Sequence, residues 1–501
     1  MATVGRVVVA RLYIDWDFDG SYTDESSRLI SANGELRFSP PETTIFSPRG
    51  TADRATVTLN NHDGRYSALL TSGALYASLS GGGAYHAPMY LEVSIDGGSN
   101  YDRVFTGVIK IPVEAAPTMR QAATITLDCR SRDELVLSRR TSTMQVDFAA
   151  WHNADMTESE LMAELLLDAG LIAADYTLDA GLFVIPWVWV KDASVVEACW
   201  QLAAACGGRF YADPDGEFRY ENAYHWLTSP HLTSQATLTE ANYQRLQPAY
   251  DDRELYNAVT VTAAPRAIGP YETLWTADQV YSVAPGATVA VTAELNAPAY
   301  VMANPSYSAV SAGGSDLSSS VSCTPIKYAQ QVRLDITNSH ATQTAYISGL
   351  SIAGQAVEAA DVVERTVVST DAFWDDRPGR ARTLSGNPWI QNSTQAEYLA
   401  TFLRDRHETP RLSYKVSGYR GDPALRLGDR VTINDAAIMS SSRDAHITAI
   451  GWRVDKAGFR QELECIDATN LYPYATTTPG YFVIGTNKLG AADAARARLF
   501  Y

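Results

Sequence analysis

The chain has 501 residues, with 40 Lys and Arg against 57 Asp and Glu, a formal net charge of −17, 46% hydrophobic and 19% charged residues. At roughly 100–200 residues per domain, this predicts two to four domains with sizeable cores and excludes a disordered chain. The acidic balance excludes a protein that grips nucleic-acid phosphates through a basic face, and equally a polybasic membrane-surface binder.

No apolar run approaches the ~18–20 residues of a membrane span; the longest candidate, Ala180 to Val190, is broken by Pro186. The start, MATVGRVVVARLY, does not read as a secretory signal. Cys129, Cys199, Cys206, Cys323 and Cys465 are odd in number and widely spaced. They predict neither a disulfide framework nor a CxxC metal site, and point to synthesis in a reducing compartment.

Residues 1–142 read as a first β-barrel, with strand-like stretches at 7–15, 54–60, 89–95, 104–111 and 123–129 separated by Asp-Gly turns. Residues 143–248 read as an α+β module. Thr157-Glu158-Ser159-Glu160 is a capping box ahead of Leu161, Met162, Leu165 and Leu166. A second helix runs from an N-cap at Asp192 to Gly207, and a hairpin turns at Asp213-Pro214-Asp215-Gly216. Residues 265–360, poor in charge and rich in Ala, Ser, Thr and Val, read as an inserted β-sandwich. Residues 249–264 and 361–470 read as a second β-barrel, entered through a helix capped by Thr394-x-x-Glu397 with Ala396, Leu399, Ala400 and Leu403 on one face. Residues 471–501 read as a C-terminal arm that docks on a neighbour. The fold class is therefore mainly β and multidomain.

One internal similarity bears on architecture. Leu127-Asp128-Cys129 and Leu463-Glu464-Cys465 are each followed six residues later by Leu (Leu135, Leu471), and each follows a strand carrying an aromatic- or Ile-Thr step, Phe105-Thr106-Gly107 or Ile447-Thr448-Ala449. Two copies of one β-unit would leave this trace, with Leu and Cys facing inward on the closing strand.

Three stretches resemble one family: Tyr13-Ile14-Asp15-Trp16-Asp17-Phe18-Asp19-Gly20-Ser21-Tyr22-Thr23-Asp24; Val57-Thr58-Leu59-Asn60-Asn61-His62-Asp63-Gly64-Arg65-Tyr66-Ser67; and Ala396–Arg406 followed by Pro410–Val416 and Leu427-Gly428-Asp429-Arg430-Val431. Together they resemble phage tail proteins of the baseplate or tail-hub class. The resemblance implies two tube-protein-like barrels per chain, a homotrimer that caps the tail tube, and adaptation of six-fold tube symmetry to a three-fold tip. Implied partners are the tail tube or distal tail protein, the tape-measure protein, and tip spike or fibre proteins. The implied place is the virion tail tip, after synthesis in the host bacterial cytoplasm. Parts of the pattern also occur in hexameric distal tail rings.

Among chemical candidates, Asp15-x-Asp17-x-Asp19-Gly20 matches the first half of a calcium loop, with Ser26 where the bidentate Glu would stand. Asp15, Asp17 and Asp19 are the candidate Ca²⁺ ligands, weighed against a hairpin turn that favours Asp and Gly on its own account. Asn61-His62-Asp63-Gly64 reads as a turn rather than a His-Asp relay, since adjacent residues on a tight turn point apart. Phe183, Trp187, Trp189, Trp151 and Tyr224-His225-Trp226 read as module core ahead of a sugar-stacking platform. Tyr271, Trp275 and Tyr281 are the residues of a carbohydrate-binding alternative on the insertion. HExxH, Gly-x-Ser-x-Gly and P-loop motifs are missing from the sequence, and no residue is nominated as catalytic.

Overall fold

The computed structural model describes residues 6–38, 54–115, 123–133, 156–188, 193–251 and 254–469. Six N-terminal strands, β1 (Val9–Ile14), β2 (Leu29–Arg37), β3 (Arg54–Asn60), β4 (Pro88–Ser94), β5 (Asp102–Ala115) and β6 (Thr124–Ser131), lie side by side in the order β2-β3-β6-β5-β4-β1. Six later strands are β7 (Ala236–Thr239), β8 (Arg245–Asp251), β9 (Arg411–Tyr419), β10 (Arg430–Asn434), β11 (Arg443–Asp455) and β12 (Gly458–Asp467). They repeat the arrangement as β8-β9-β12-β11-β10-β7. Adding six to each strand number converts the first order into the second. The sets differ at one end, where β1 is antiparallel to β4 and β7 is parallel to β10.

The Leu-acid-Cys similarity is the register of this duplication. In β5–β6, Ile109 faces Cys129, Lys110 forms a bulge, and Ile111 pairs with Asp128. In β11–β12, Ile447 faces Cys465, Thr448 forms the bulge, and Ala449 pairs with Glu464. Leu127, Cys129, Leu463 and Cys465 all point inward and are buried, because side chains two apart on a strand share a face. The partner of Cys129 is Ile109, four residues beyond Phe105, the residue whose Thr step the sequence sets against Ile447-Thr448. Leu135 and Leu471 lie outside the described residues.

Among the described residues neither set closes into a barrel of its own. Both sets lie in one thirteen-stranded sheet whose path, among the described residues, runs open from β8 to the short strand Thr23–Asp24 beyond β1. The join is β2 against β11, from Ala449↔Arg37 to Val454↔Ala32. β11 is long enough to pair with β10 along one stretch and with β2 along the next. At the join Gly34 faces Trp452, and a Cβ on Gly34 would lie 2.4 Å from the Trp452 Cζ2 and 2.8 Å from the Arg54 carbonyl. Each set lends side chains to the other's core. Trp452, Val454 and Phe459 pack with Leu12, Val57 and Leu127, while Leu36 and Phe38 pack with Val416, Leu463 and Cys465.

Three helices, α1 (Glu158–Asp168), α2 (Val195–Cys206) and α3 (Ser393–His407), build the α+β module. The Thr157–Glu160 capping box forms as the sequence predicts. Buried Glu158 accepts from the Leu182 and Phe183 backbone N–H groups and from the Tyr220 hydroxyl. α2 starts at Ser194, whose side chain accepts from the Glu197 N–H, and closes at left-handed Gly207. α3 is capped by Asn392, whose side chain accepts from the Gln395 N–H at 2.7 Å, two residues ahead of the expected Thr394. The apolar face Ala396, Leu399, Ala400 and Leu403 packs with α1, α2 and the strand Ala258–Ala263. Elements that the sequence places with the second strand block thus contribute to the module core, while β7 and the first part of β8 (Arg245 to Pro248), placed with the module, belong to the second strand set.

The insertion is a sandwich. A five-stranded sheet centred on Ala345–Ala359 faces a three-stranded sheet centred on Gln331–Asn338, across Val283, Val291, Leu334, Ile336, Ile347 and Ile352.

Candidate functional site

The Leu427-Gly428-Asp429-Arg430-Val431 motif lies where three parts of the molecule meet. Leu427 and Val431 are buried in the second strand core. Gly428 has φ +82°, and a Cβ there would come within 2.5 Å of the Trp226 indole nitrogen, so both the backbone and the approach of Trp226 require glycine. Trp226 stacks on His446 with ring centroids 4.6 Å apart, and the His446 Nδ1 bonds the Gly428 carbonyl at 2.9 Å. Burial pushes the His446 pKa down to about 4, so its Nδ1 carries the proton and donates. On the other side of Trp226 the buried Arg209 guanidinium sits 4.0 Å from the indole ring and 4.9 Å from the Phe38 ring. The hairpin of the module (Arg209), the turn that follows it (Trp226), the end of β2 (Phe38) and the second strand set (Gly428, His446) are clamped together here.

A polar chain runs beside this clamp. His225 Nδ1 lies 2.8 Å from Asp179 Oδ2, and His225 Nε2 lies 3.1 Å from His231 Nε2. Burial pulls the His225 pKa down, but Asp179 and Glu221 outweigh it and the net shift is upward; burial dominates at His231 and its pKa falls. Of the two, His225 therefore takes a proton more readily, and when charged it donates to both Asp179 and His231. Glu221 accepts from the Tyr211 hydroxyl at 2.6 Å and pairs with Arg209 at 3.5 Å. Burial pushes the Asp429 carboxyl up to about 6, while Oδ2 accepts from the Arg426 N–H at 2.7 Å. Such a network fixes one arrangement of modules, because each buried group left without its partner is costly.

The two N-terminal motifs also converge. Buried Glu25 accepts from the Trp16 Nε1 at 3.1 Å, from the Arg65 Nη2 at 2.8 Å and from the Tyr66 hydroxyl at 2.5 Å. The Tyr66 N–H donates to the Asn61 side chain, and Arg28 grips Asp63 with two bonds of 2.8 and 2.7 Å. Asp63 is thus engaged by Arg28, His62 is exposed, and the segment is a turn with Gly64 at φ +69°.

In the acidic loop, buried Asp15 accepts from the Asp19 and Gly20 N–H groups at 3.3 and 3.0 Å, Asp17 accepts from the Ser78 hydroxyl, and Asp19 accepts from the Ser21 N–H at 2.7 Å. Among the described residues no three His, Cys, Asp or Glu side chains converge into a group that could hold a metal ion.

The aromatic candidates are dispersed. Phe183 packs on Tyr398 in the module core, Trp226 occupies the clamp, and Trp187 meets Tyr300 of the sandwich edge-on at 6.0 Å. Trp151, Trp189 and Asp192 lie outside the described residues. On the insertion Tyr271 is exposed, whereas Trp275 and Tyr281 pack against the sandwich core. The clamp residues Arg209, Glu221, His231 and His446 carried no sequence signal, since each stands on a different turn or strand.

No protein-family model matches the chain, and no curated protein does. Solved structures similar to it include a tail protein from Neisseria meningitidis, 12% identical over 93% of this chain and 99% of that one, with a TM-score of 0.48. A 43 kDa tail protein of prophage MuSo2 from Shewanella oneidensis is 12% identical over 92% and 99%, with a TM-score of 0.47. An E. coli component of the type VI secretion system, described as structurally similar to T4 bacteriophage tail proteins, is 9% identical over 88% and 73%, with a TM-score of 0.37.

Proposed function

We propose that this chain is a structural component of a phage tail or phage-tail-like particle, a trimeric hub that caps the tail tube and carries the distal spike or fibres. The observation that supports this best is the duplicated six-strand order within one chain. Three such chains offer six topologically matching units to a six-fold tube while keeping three-fold symmetry for what lies beyond it. Ring closure then uses heterologous contacts, each unit against the next. In this reading the polar clamp sets the angle between the module and the ring units, and the chain works by assembly rather than by catalysis. Its partners are the tube or distal tail protein, the tape-measure protein and the tip proteins, at the virion tail tip. The net charge of −17 suits a surface past which DNA slides without adhering.

A hexameric distal ring needs only one unit per chain, so the duplication counts against it. A glycan platform on the insertion needs aromatic faces exposed together, and Tyr271 is separated in exposure from Trp275 and Tyr281. The test is the mass of the assembled chain in solution by light scattering. Three chains per particle are expected; six would contradict the reading.

A further inference from the structure

The β2–β11 join has a counterpart that one chain leaves open. Under the six-strand correspondence β2 answers to β8 and β11 answers to β5. Within the chain the outer edge of β2 pairs with β11 beyond its bulge. The corresponding edges are the outer edge of β8 and the stretch of β5 beyond its own bulge. Among the described residues no strand pairs with either, and Pro112–Ala115 and Gln247–Tyr250 are exposed throughout. Val113 and Tyr250 are 57% and 68% exposed, large apolar side chains at these edges. Among the described residues the two edges do not pair within one chain; β9, β12, β11, β2, β3 and β6 lie between them in the sheet.

We infer that β8 of one copy docks along β5 of a second copy of this chain, repeating between chains the join that β2 and β11 make within one. The inference rests on the hub reading above and names its subunit contact. The register follows by transfer. Cys129 faces Ala55 and Cys465 faces Tyr414, which aligns β3 with β9. Gly34 pairs with Ala55 and Pro248 with Tyr414, which aligns Gly34 with Pro248. Ile111 answers to Ala449 across the two bulges. The Ile450↔Leu36, Gly451↔Glu35 and Trp452↔Gly34 pairs then become Pro112↔Tyr250, Val113↔Ala249 and Glu114↔Pro248 between copies.

The two prolines fit an edge with a chosen partner. A proline nitrogen cannot donate to the strand behind it, so Pro112 and Pro248 face outward. Each removes one donor from the new ladder, which leaves the Tyr250 N–H to the Pro112 carbonyl and the Glu114 N–H to the Pro248 carbonyl. The same prolines blunt indiscriminate edge pairing, while the Tyr250 ring gains the Pro112 ring as an apolar neighbour. Tyr250 also borders a recess of ≈ 460 Å³ formed with Leu255, Phe373, Trp374 and Pro410, which extends the apolar surface behind the β8 edge.

The experiment is disulfide trapping in the full chain. Val113→Cys and Ala249→Cys would bring two thiols opposite each other in an antiparallel pair, at a Cα separation of about 4.5–5.5 Å that a disulfide spans. The double variant, folded as wild type under reducing conditions by circular dichroism, is expected to oxidise to a covalent trimer on a non-reducing gel. Each single variant alone stays uncrosslinked, and an equal mixture of the two singles gives crosslinked species absent from either. A crosslink in Ala249→Cys alone would mean β8 pairs with β8 and overturns the inference. A trimeric preparation of the double variant that does not crosslink overturns the β5–β8 contact and leaves the hub reading standing. A wild-type chain that is not trimeric overturns both. Tyr250→Glu, on an exposed position, is expected to weaken assembly at least tenfold with the melting temperature unchanged; undiminished assembly would count against the contact.

Discussion

Glu25 belongs to no motif in the sequence, yet it ties Trp16, Arg65 and Tyr66 into one buried cluster. Replacing it strands a guanidinium that is mostly out of solvent. Glu25→Ala is expected to cost about 2–4 kcal/mol in urea unfolding; a loss below about 0.5 kcal/mol would show that Arg65 finds another partner. His407 gives a pH signature. It is fully buried, and burial pushes its pKa down to about 3, with Nδ1 on the Glu254 carbonyl at 2.8 Å. In the unfolded chain it titrates near 6.5, so between these values the unfolded state holds more protons. Its contribution is complete above about pH 6.5 and is lost as pH falls toward 3, by about 2 kcal/mol between pH 7 and pH 5. His407→Leu should lower stability at pH 7 but flatten that slope by the same amount. An unchanged slope would mean the imidazole is not held neutral. His407, like the His225–His231 pair, had no signature in the sequence, because its partners stand on other elements.

At the level of elements, Gly34 governs the join between the strand sets. A methyl group there meets both the Trp452 ring and the Arg54 carbonyl, so Gly34→Ala is expected to destabilise by about 1–3 kcal/mol. Trp452→Leu in the same chain should recover part of that loss, since it removes one of the two clashes. Simple additivity of the two changes would show that they do not meet. How legible the elements were depended on how local their causes are. The Leu-acid-Cys step could be read because strand alternation brings Leu and Cys to one face within three residues. The α1 cap could be read because Thr157 and Glu160 satisfy each other's turn. The α3 start was misplaced by two residues because Asn392 and Thr394 are both good caps and only the fold selects Asn392. The six-strand order was not legible at all: β8 and β9 pair directly, yet a helix and a whole sandwich intervene between them in the chain. Nor could the sequence show that β2 would bridge the sets, since pairing of distant strands leaves no spacing to read.

For the molecule as a whole, one sheet built from two matching sets, with the module and sandwich attached beside it, is suited to presenting repeated surfaces. The Gly428–Trp226–Arg209 clamp packs the module against the second set. The family-like motifs occupy structural joints: Leu427-Gly428-Asp429 at the clamp, Asn61 to Tyr66 around Glu25. The acidic loop at Asp15, by contrast, is closed by its own backbone. The central claim is that three chains close a ring of six matching units. Negative-stain imaging of the purified full-length chain, classified for rotational symmetry, tests it most directly. The account predicts three-fold rings with six peripheral lobes; six-fold rings with one chain per lobe would contradict it.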